Sequence, residues 1–440
     1  MALYRLPDGH EKENTMVRKH WVLLLLLLVI FSVRLSFFAI NEGNYYWDEA
    51  VYLHLAKNIH EGAYSSNLGE QYRAPLFPFI LSFFGEEYAH AFLFLTVIAS
   101  TFAVFLLGKE LFNLKIGLVA ATIFSAMPLY FFFSFKLLTE PLAIFLEVMA
   151  FFFLFRYERE KKPASLYAMT IFLGLSVLTR YPAIILPAVL YPYLIFTRWL
   201  RKELYISGAL FVILLSPLFV LGMISYGHPL GMLMTNFADN TTPNGMVLFY
   251  VIHFFSMLGF FVPLCFLFGL SSHYKKKAIF LFMGASAVIL SLLSQRTERF
   301  FLLLFPFFAI IAAKGIMRLD RWKIGTPLLA LWVIASLFTG VSLIEEDADN
   351  TRFLIGTAQN FSFNGIVMSN SPVYFSYFGD MTVVNFPKTM ENVENVSYFI
   401  VDTYHPRYDG NYSSYVRYLN ENKDVVTNLS WRHREIAVYA

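Results

Sequence analysis

Charged residues are scarce in this sequence. Asp, Glu, Lys and Arg make up 15% of its 440 residues, whereas they make up about a quarter of an average soluble domain. The net charge of +3 is small, and the basic residues lie in short clusters between apolar runs. Nucleic-acid binding needs a continuous basic patch, so we expect no nucleic-acid partner.

Cysteine is nearly absent as well, since Cys265 is the one cysteine of the chain. A single cysteine cannot form an intrachain disulfide, so the fold is held together without one. Cys265 lies inside an apolar run, and we expect it to be a small buried side chain.

Apolar residues, in contrast, make up 57% of the chain, and 18% of the residues are aromatic. The run from Trp21 to Ile40 is long enough to span a membrane, because about 20 helical residues cross a hydrocarbon core of roughly 30 Å. Ten further runs follow, at about 88–108, 116–135, 141–155, 164–179, 181–197, 204–225, 246–270, 278–294, 300–313 and 326–344. The sequence therefore predicts an all-α polytopic membrane domain with about eleven transmembrane helices.

The distribution of basic residues predicts how these spans are oriented. If the N-terminus is cytoplasmic, the inner loops hold twenty Lys and Arg residues, and the outer loops before the C-terminal segment hold six. Basic residues are enriched in cytoplasmic loops, so this bias favours a cytoplasmic N-terminus and an external C-terminal domain. We expect a multi-pass protein of the cell membrane.

The first outer loop, residues 41–87, has a pattern that predicts structure. Apolar residues recur at helical spacing from Val51 to Ile59, which indicates an interfacial helix that is entered at Asp48 and ends near Gly62. The apolar segment Leu76–Phe84 is too short to span a membrane, so we expect a second interfacial or re-entrant segment there.

The composition changes after residue 344, where a polar segment begins. We predict that residues 1–344 form the membrane domain and residues 345–440 a small external α/β domain. Its predicted elements are strands at Gly365–Ser369, Met381–Phe386 and Val396–Asp402, and a helix at Tyr412–Asn420. Asn-x-Ser/Thr triplets would fall on the external side, at Asn240, Asn360, Asn395, Asn411 and Asn428.

Charged residues at the outer ends of the spans need an explanation, because positive charge is otherwise depleted on that side. They are Asp48, Glu49, Arg73, Lys136, Glu140, Arg180, Arg296, Glu298 and Arg299. Each of them alone is explained by a side chain that snorkels to water from a helix end. Together they describe an anion-binding site with carboxylates beside it.

Asp48 is the central candidate. Its carboxylate could simply cap the following helix, with Glu49 improving the interaction with the helix dipole. Alternatively, a carboxylate at a membrane face among aromatic residues can have its proton affinity raised enough to act as a base towards a hydroxyl. Glycosyl transfer with inversion needs such a base, together with basic residues that stabilise a phosphate leaving group.

Glu140 and His253 are candidates for contacting the acceptor or a metal ion. A divalent cation could be held by Asp48, Glu140 and His253, but no ligand spacing in the sequence demands one. The alternative for His253, which lies inside a predicted span, is a buried hydrogen-bonded histidine. The cofactor therefore stays unassigned.

Five motifs of the membrane domain are similar to those of a known enzyme class. They are Tyr46-Trp47-Asp48-Glu49-Ala50-x-Tyr52, Arg73-Ala74-Pro75-Leu76, Thr139-Glu140-Pro141, Thr179-Arg180-Tyr181-Pro182 and Arg296-x-Glu298-Arg299-Phe300. With these motifs, most of residues 20–345 resembles the GT-C glycosyltransferases, nearest to the protein O-mannosyltransferases and the ArnT-like aminoarabinose transferase that acts on lipid A.

The resemblance implies roles for individual residues. Asp48 would be the catalytic acid of the first loop and Glu49 the accompanying acid. The basic residues that would contact the phosphate of a lipid-linked sugar are Arg73, Arg180, Arg296 and Arg299, and we add Lys136 because it lies on the same predicted face. Two features depart from the family, since bacterial members often have Lys-Pro-Pro-Leu in place of Arg73-Ala74-Pro75-Leu76, and better-known members have more spans.

The leading hypothesis is therefore a membrane glycosyltransferase. It would move a sugar from a polyprenyl- or dolichyl-phosphate donor to a protein, lipid or glycan acceptor at the external membrane face, with inversion. The alternative is a polytopic transporter or a flippase for lipids or lipid-linked sugars. Transporters usually place charged sites near the midplane and contain internal repeats, whereas here the charges gather at one face and no repeat is evident.

Overall fold

The computed structural model describes residues 9–40, 47–62, 64, 73–198, 202–239, 249–270, 277–292 and 298–361. In the C-terminal segment it describes the five strands, residues 417–421 and a few positions between them. The triplets at Asn240, Asn395 and Asn411 lie outside the described residues.

Helices form most of the described chain. They are α1 (Gly9–Ile40), α2 (Trp47–His60), α3 (Leu76–Leu111), α4 (Leu114–Ala126), α5 (Pro128–Phe133), α6 (Glu140–Glu160), α7 (Pro163–Thr179), α8 (Ile185–Arg198), α9 (Lys202–Leu214), α10 (Ser216–Tyr226), α11 (Gly231–Asp239), α12 (Phe249–Ile252), α13 (Phe254–Leu258), α14 (Phe261–Leu270), α15 (Lys277–Leu292), α16 (Phe305–Leu319) and α17 (Gly325–Asn360). Short 3₁₀ helices lie at Tyr181–Ile184, Glu298–Leu304 and Asp320–Trp322.

The eleven predicted spans coincide with these helices. Among the described residues, five stretches are long and apolar enough to cross a membrane by themselves, namely His20–Phe38, Leu76–Leu111, Lys202–Tyr226, Glu298–Trp322 and Gly325–Glu345. Shorter apolar helices lie at α4, α7, α8, α14 and α15, and α6 carries the remaining predicted span. The predicted class, an all-α polytopic membrane domain followed by a small α/β element, is confirmed.

Proline and glycine interrupt several spans. Pro128 begins α5, and Met127 before it is non-helical (φ −55°, ψ 122°), as the steric demand of a following proline favours. Leu76–Phe84, which the sequence suggested as a separate segment, is the first part of α3 and is set off by a kink at Gly85 (φ 66°). The predicted span 246–270 is broken at His253 and again at Gly259 (φ 68°).

The helix predicted after the first span is present as α2. Gly62 follows it with a φ of 94°, and its N–H donates a hydrogen bond to the carbonyl of Ile59 at 3.0 Å. The left-handed backbone at this position favours glycine, which explains why the helix ends there.

The helices α14 and α16 pack with their backbones close together. A Cβ atom added at Gly315 would lie 1.9 Å from the carbonyl oxygen of Cys265, and such close approaches between membrane helices require small residues. Cys265 is 1% exposed, so its prediction as a small buried residue is confirmed.

The C-terminal segment forms a five-stranded mixed sheet. Its strands are β1 (Val367–Ser369), β2 (Val383–Asn385), β3 (Tyr398–Asp402), β4 (Val425–Trp431) and β5 (Arg434–Tyr439), in the order β2-β1-β3-β5-β4. β1 is parallel to β2 and β3, and β5 is antiparallel to β3 and β4. The three predicted strands coincide with β1 to β3, whereas the hairpin of β4 and β5 was missed.

The last helix joins the two parts of the chain. α17 continues through the change in composition at residue 345 and ends at Asn360. Leu354 and Ala358 of its polar half are buried in the same core as Val367 and Ile400 of the sheet. The sheet therefore packs against the C-terminal part of the last membrane helix.

Candidate active site

Asp48 and Glu49 lie in the first turn of α2, where the helix dipole favours negative charge. Successive helical side chains point about 100° apart, so the two carboxylates face different neighbours. Asp48 Oδ1 accepts a hydrogen bond from Arg73 Nη2 at 3.0 Å, and Asp48 Oδ2 lies 2.5 Å from Arg299 Nη1. Asp48 is therefore paired with two guanidinium groups, which a helix cap alone would not explain.

Arg299 extends this set of charges to α6. Its Nε lies 2.6 Å from Oε1 of Glu140, and the same oxygen accepts a hydrogen bond from Nη1 of Arg180 at 2.6 Å. Arg180 Nη1 also donates to Oγ1 of Thr139 at 3.1 Å. We refer to five residues as the arginine–carboxylate network: Asp48, Arg73, Glu140, Arg180 and Arg299.

Proline residues place two members of the network. Pro141 lies in the first turn of α6, where the missing N–H costs nothing, so the helix begins at Glu140 with this carboxylate at its positive end. α7 ends just before Pro182 of the next helix, and Arg180 between them has an extended backbone (φ −158°, ψ 121°). The network thus lies at one end of the bundle, where α2, α6 and α7 meet the 3₁₀ helix that carries Arg299.

Tyr52 is a site residue whose role sequence reasoning missed. Its ring is buried against Phe77, with ring centroids 5.1 Å apart, and its hydroxyl interacts electrostatically with Arg73, Asp48, Arg299 and Glu140. Burial raises the pKa of Tyr52, so its hydroxyl is a neutral hydrogen-bond donor at physiological pH. The signal was its spacing, because a residue four positions after Asp48 lies on the same face of α2.

Glu49 and Lys136 belong to a second group on the other side of α2. Glu49 is fully buried, accepts a hydrogen bond from the backbone N–H of Leu137, and lies 4.0 Å from Nε2 of His90. Lys136 is 1% exposed, and its Nζ lies 5.7 Å from the centroid of the Phe132 ring. We infer that Glu49 holds α2 against the loop that leads into α6, and thereby positions Asp48 relative to Glu140.

The remaining candidates are Arg296 and His253. Arg296 lies outside the described residues, so its contact with the donor stays a prediction. His253 lies at the break between α12 and α13. Among the described residues no three His, Cys, Asp or Glu side chains are grouped as metal ligands, so Asp48, Glu140 and His253 do not form such a group.

The charges of the network suit a single phosphodiester. Three guanidinium groups face two carboxylates, which leaves one positive charge in a largely buried place. An arginine fork can bind two phosphate oxygens at once, and a phosphodiester carries one negative charge. The same place offers Asp48 as a base for an acceptor hydroxyl.

The structure thus has a helix after the first span whose acid pairs with arginines from later segments at one end of a helical bundle. The family model for dolichyl-phosphate-mannose-protein mannosyltransferases matches residues 73–221, a stretch that contains Arg73, Lys136, Glu140 and Arg180. No curated protein sequence matches the chain.

Solved structures confirm the GT-C fold. ArnT from Cupriavidus metallidurans, bound to undecaprenyl phosphate, is similar over 95% of this chain and 98% of its own, with a TM-score of 0.71 and 12% sequence identity. The Archaeoglobus fulgidus oligosaccharyltransferase in complex with Zn and sulfate has a TM-score of 0.58 at 16% identity, over 87% of this chain and 68% of its own. The same archaeal enzyme, AglB, in complex with an inhibitory peptide and a dolichol-phosphate has a TM-score of 0.58 at 15% identity, over 88% of this chain and 70% of its own. At these identities the likeness establishes the fold, and it is the fold that the resemblance implied.

Proposed function

We propose that the protein transfers a sugar from a polyprenyl- or dolichyl-phosphate carrier to a hydroxyl group of a protein, lipid or glycan, with inversion at the anomeric carbon. The observation that carries the proposal is the network in which Asp48 is linked through Arg299 to Glu140 and Arg180. It brings the carboxylate that we propose as the base close to the guanidinium groups that we propose bind phosphate, which supports the assignment. The names of the similar structures, two of which contain a lipid phosphate, support this choice of donor.

In the proposed reaction, Asp48 accepts the proton of the acceptor hydroxyl as its oxygen attacks the anomeric carbon. The bond between that carbon and the phosphate oxygen breaks, and the lipid phosphate leaves with the bonding electrons. Its negative charge increases as it leaves, so Arg73, Arg180 and Arg299 hold it more strongly in the transition state than in the bound donor. The pairing of these three arginines with the same two carboxylates, Asp48 and Glu140, supports their acting together.

The proposal includes a membrane orientation. We place the network at the external face, as the distribution of basic residues favours. The donor's lipid chain would then lie against the apolar surface of the bundle, with the acceptor approaching from outside. The first part of α3 has exposed Phe79 and Phe83 close to this end, and such residues suit the membrane interface.

The decisive experiment supplies radiolabelled lipid-phosphate sugar, together with a hydroxyl-bearing acceptor (a peptide containing serine and threonine, or a glycolipid), to the purified full-length protein in vesicles. Transfer predicts a labelled glycoside and free lipid phosphate, both lost in Arg180→Gln. Movement of intact donor between leaflets, without a glycoside, would instead support a flippase. Absence of both products with donors that bind would refute the proposed reaction.

A further inference from the structure

One buried acid of the bundle takes no part in the network. Glu147 lies seven residues after Glu140 in α6, so it shares the same face of the helix about 10 Å further along the axis. It is 1% exposed, and neither of its carboxylate oxygens has a hydrogen-bond partner. Burying a carboxyl group without a partner is unfavourable, so Glu147 requires an explanation.

Arg180 offers the complementary group. Its Nη1 is used by Glu140 and Thr139, but its Nε and Nη2 are buried and have no hydrogen-bond partner. These two nitrogens form the edge of a guanidinium that binds both oxygens of a carboxylate at once. Arg180 is also the charged residue that interacts electrostatically with Glu147.

The two side chains come from helices that pack against each other. Glu147 follows Glu140 along α6, while Ser176 precedes Arg180 by one turn at the end of α7. The hydroxyl of Ser176 is also buried and has no hydrogen-bond partner. Unsatisfied polar atoms are rare in native structures, so their concentration beside Arg180 points to an arrangement in which they are used.

We propose that Glu147 is a positioning residue of the donor site: it orients Arg180 when that guanidinium releases Glu140 to bind phosphate. This inference rests on the proposed function. A phosphate that binds the Nη atoms of Arg180 competes with Glu140 for them. A second carboxylate on the Nε side then fixes the plane of the guanidinium and keeps its remaining N–H groups directed at the phosphate.

The test measures binding of undecaprenyl phosphate to the full-length protein. Glu147→Gln keeps the shape of the side chain but cannot supply a carboxylate to Arg180, and we expect Kd to rise about tenfold, which corresponds to about 1.4 kcal/mol. Tm should change little, because the exchange is nearly isosteric and neither carboxyl oxygen of Glu147 has a hydrogen bond to lose. A merely structural residue would lower Tm and leave Kd unchanged, and that result would overturn the proposal.

Glu158→Gln provides a matched control on the same helix. The Glu158 carboxylate accepts a hydrogen bond from the Tyr193 hydroxyl at 2.6 Å near the opposite end of α6. We expect this variant to leave the Kd for undecaprenyl phosphate unchanged. A rise equal to that of Glu147→Gln would show that any lost acid on α6 weakens binding, and would overturn a specific role for Glu147.

A double-mutant cycle tests whether Glu147 acts through Arg180. In an Arg180→Gln background, Glu147→Gln should change Kd less than about twofold, since the residue that it orients is already gone. A tenfold rise in both backgrounds would overturn the inference while leaving the proposed function intact. If Arg180→Gln alone left Kd unchanged, the phosphate role of Arg180 itself would fail, so the two failures are distinguishable.

Discussion

Replacing Asp48 with asparagine would separate its role as a base from its role as a counter-ion. Asparagine has nearly the same shape, but it cannot take a proton from an acceptor hydroxyl. General base catalysis typically contributes about 10²–10⁴-fold to a rate, so we expect kcat of Asp48→Asn to fall by such a factor.

Binding of the lipid phosphate should be kept or become tighter in Asp48→Asn, although kcat falls. Without the Asp48 charge, three arginines face Glu140 alone, and the excess positive charge of the network rises from one to two. A carboxylate about 7 Å from a phosphate repels it by about 2 kcal/mol at an effective dielectric constant of about 20, which is an upper estimate because the arginines screen it. The Kd for undecaprenyl phosphate should therefore stay equal or fall, by at most roughly thirtyfold.

The stability of the variant sets the conditions of the assay. Hydrogen bonds to charged groups contribute about 1.5–3 kcal/mol each, and asparagine can keep one acceptor oxygen for Arg73 or Arg299. We expect the free energy of unfolding to fall by about 2 kcal/mol, so turnover is measured per folded molecule with labelled lipid-phosphate sugar. Glu158→Gln is the matched control, because this acid lies near the opposite end of α6, where it accepts a hydrogen bond from the Tyr193 hydroxyl.

Two outcomes would refute this reasoning. If Asp48→Asn kept most of its turnover, Asp48 would be only a counter-ion of Arg73 and Arg299. If the variant lost carrier binding together with turnover, Asp48 would instead be part of the framework that holds the arginines in place.

Three further predictions follow from the charges of the described chain. Arg299→Lys keeps the charge but cannot reach Asp48 and Glu140 together, so we expect kcat/KM for the donor to fall about 10–100-fold, and a loss of Tm with unchanged turnover would contradict this. A cysteine at position 276 in a Cys265→Ala background should not react with an impermeant reagent outside intact cells, because we place that loop in the cytoplasm; labelling there would refute the orientation. Asp320 is bonded to Lys115 at 2.7 Å, and although its burial raises the pKa, hydrogen bonds from Lys115 and Thr326 hold the pKa of Asp320 below its usual value of 3.8. The ionised Asp320 therefore stabilises the fold above pH 3.8, and this contribution is lost as the pH falls through the lowered pKa. We expect the Tm difference between wild type and Asp320→Asn to shrink in acid. A difference that stays constant with pH would contradict the assignment.

The sequence predicted the membrane domain well, because composition and the length of apolar runs largely determine where a chain can span a bilayer. Breaks inside the runs were harder to place. Pro128 and Gly85 interrupt helices through local backbone preferences that a hydropathy pattern averages away. The hairpin of β4 and β5 was missed because β4 is an edge strand with exposed apolar residues such as Val425 and Leu429, so pairing with β5 stabilises it more than burial does.

For the site, the distribution of basic residues predicted that the candidates share one face of the membrane, but it could not predict which of them are in contact. Adjacent positions in the sequence even proved misleading, since Asp48 and Glu49 point to different groups. Glu147 drew no notice because an acid within an apolar run offers no spacing signal, and only packing shows that its oxygens lack partners.

The contacts of Arg299 were the hardest to predict from the sequence, and they join the proposed base to the proposed phosphate-binding groups. Arg299 lies between Asp48 and Glu140 and touches both, so the groups proposed to bind phosphate are also those that now hold the base. One guanidinium edge cannot fully serve a carboxylate and a phosphate together. A phosphate that engages Arg73 and Arg299 therefore weakens their hold on Asp48 and raises its proton affinity at the moment an acceptor hydroxyl needs a base. The Kd of Asp48→Asn for undecaprenyl phosphate measures this competition directly, because the uncharged asparagine no longer competes with phosphate for Arg73 and Arg299.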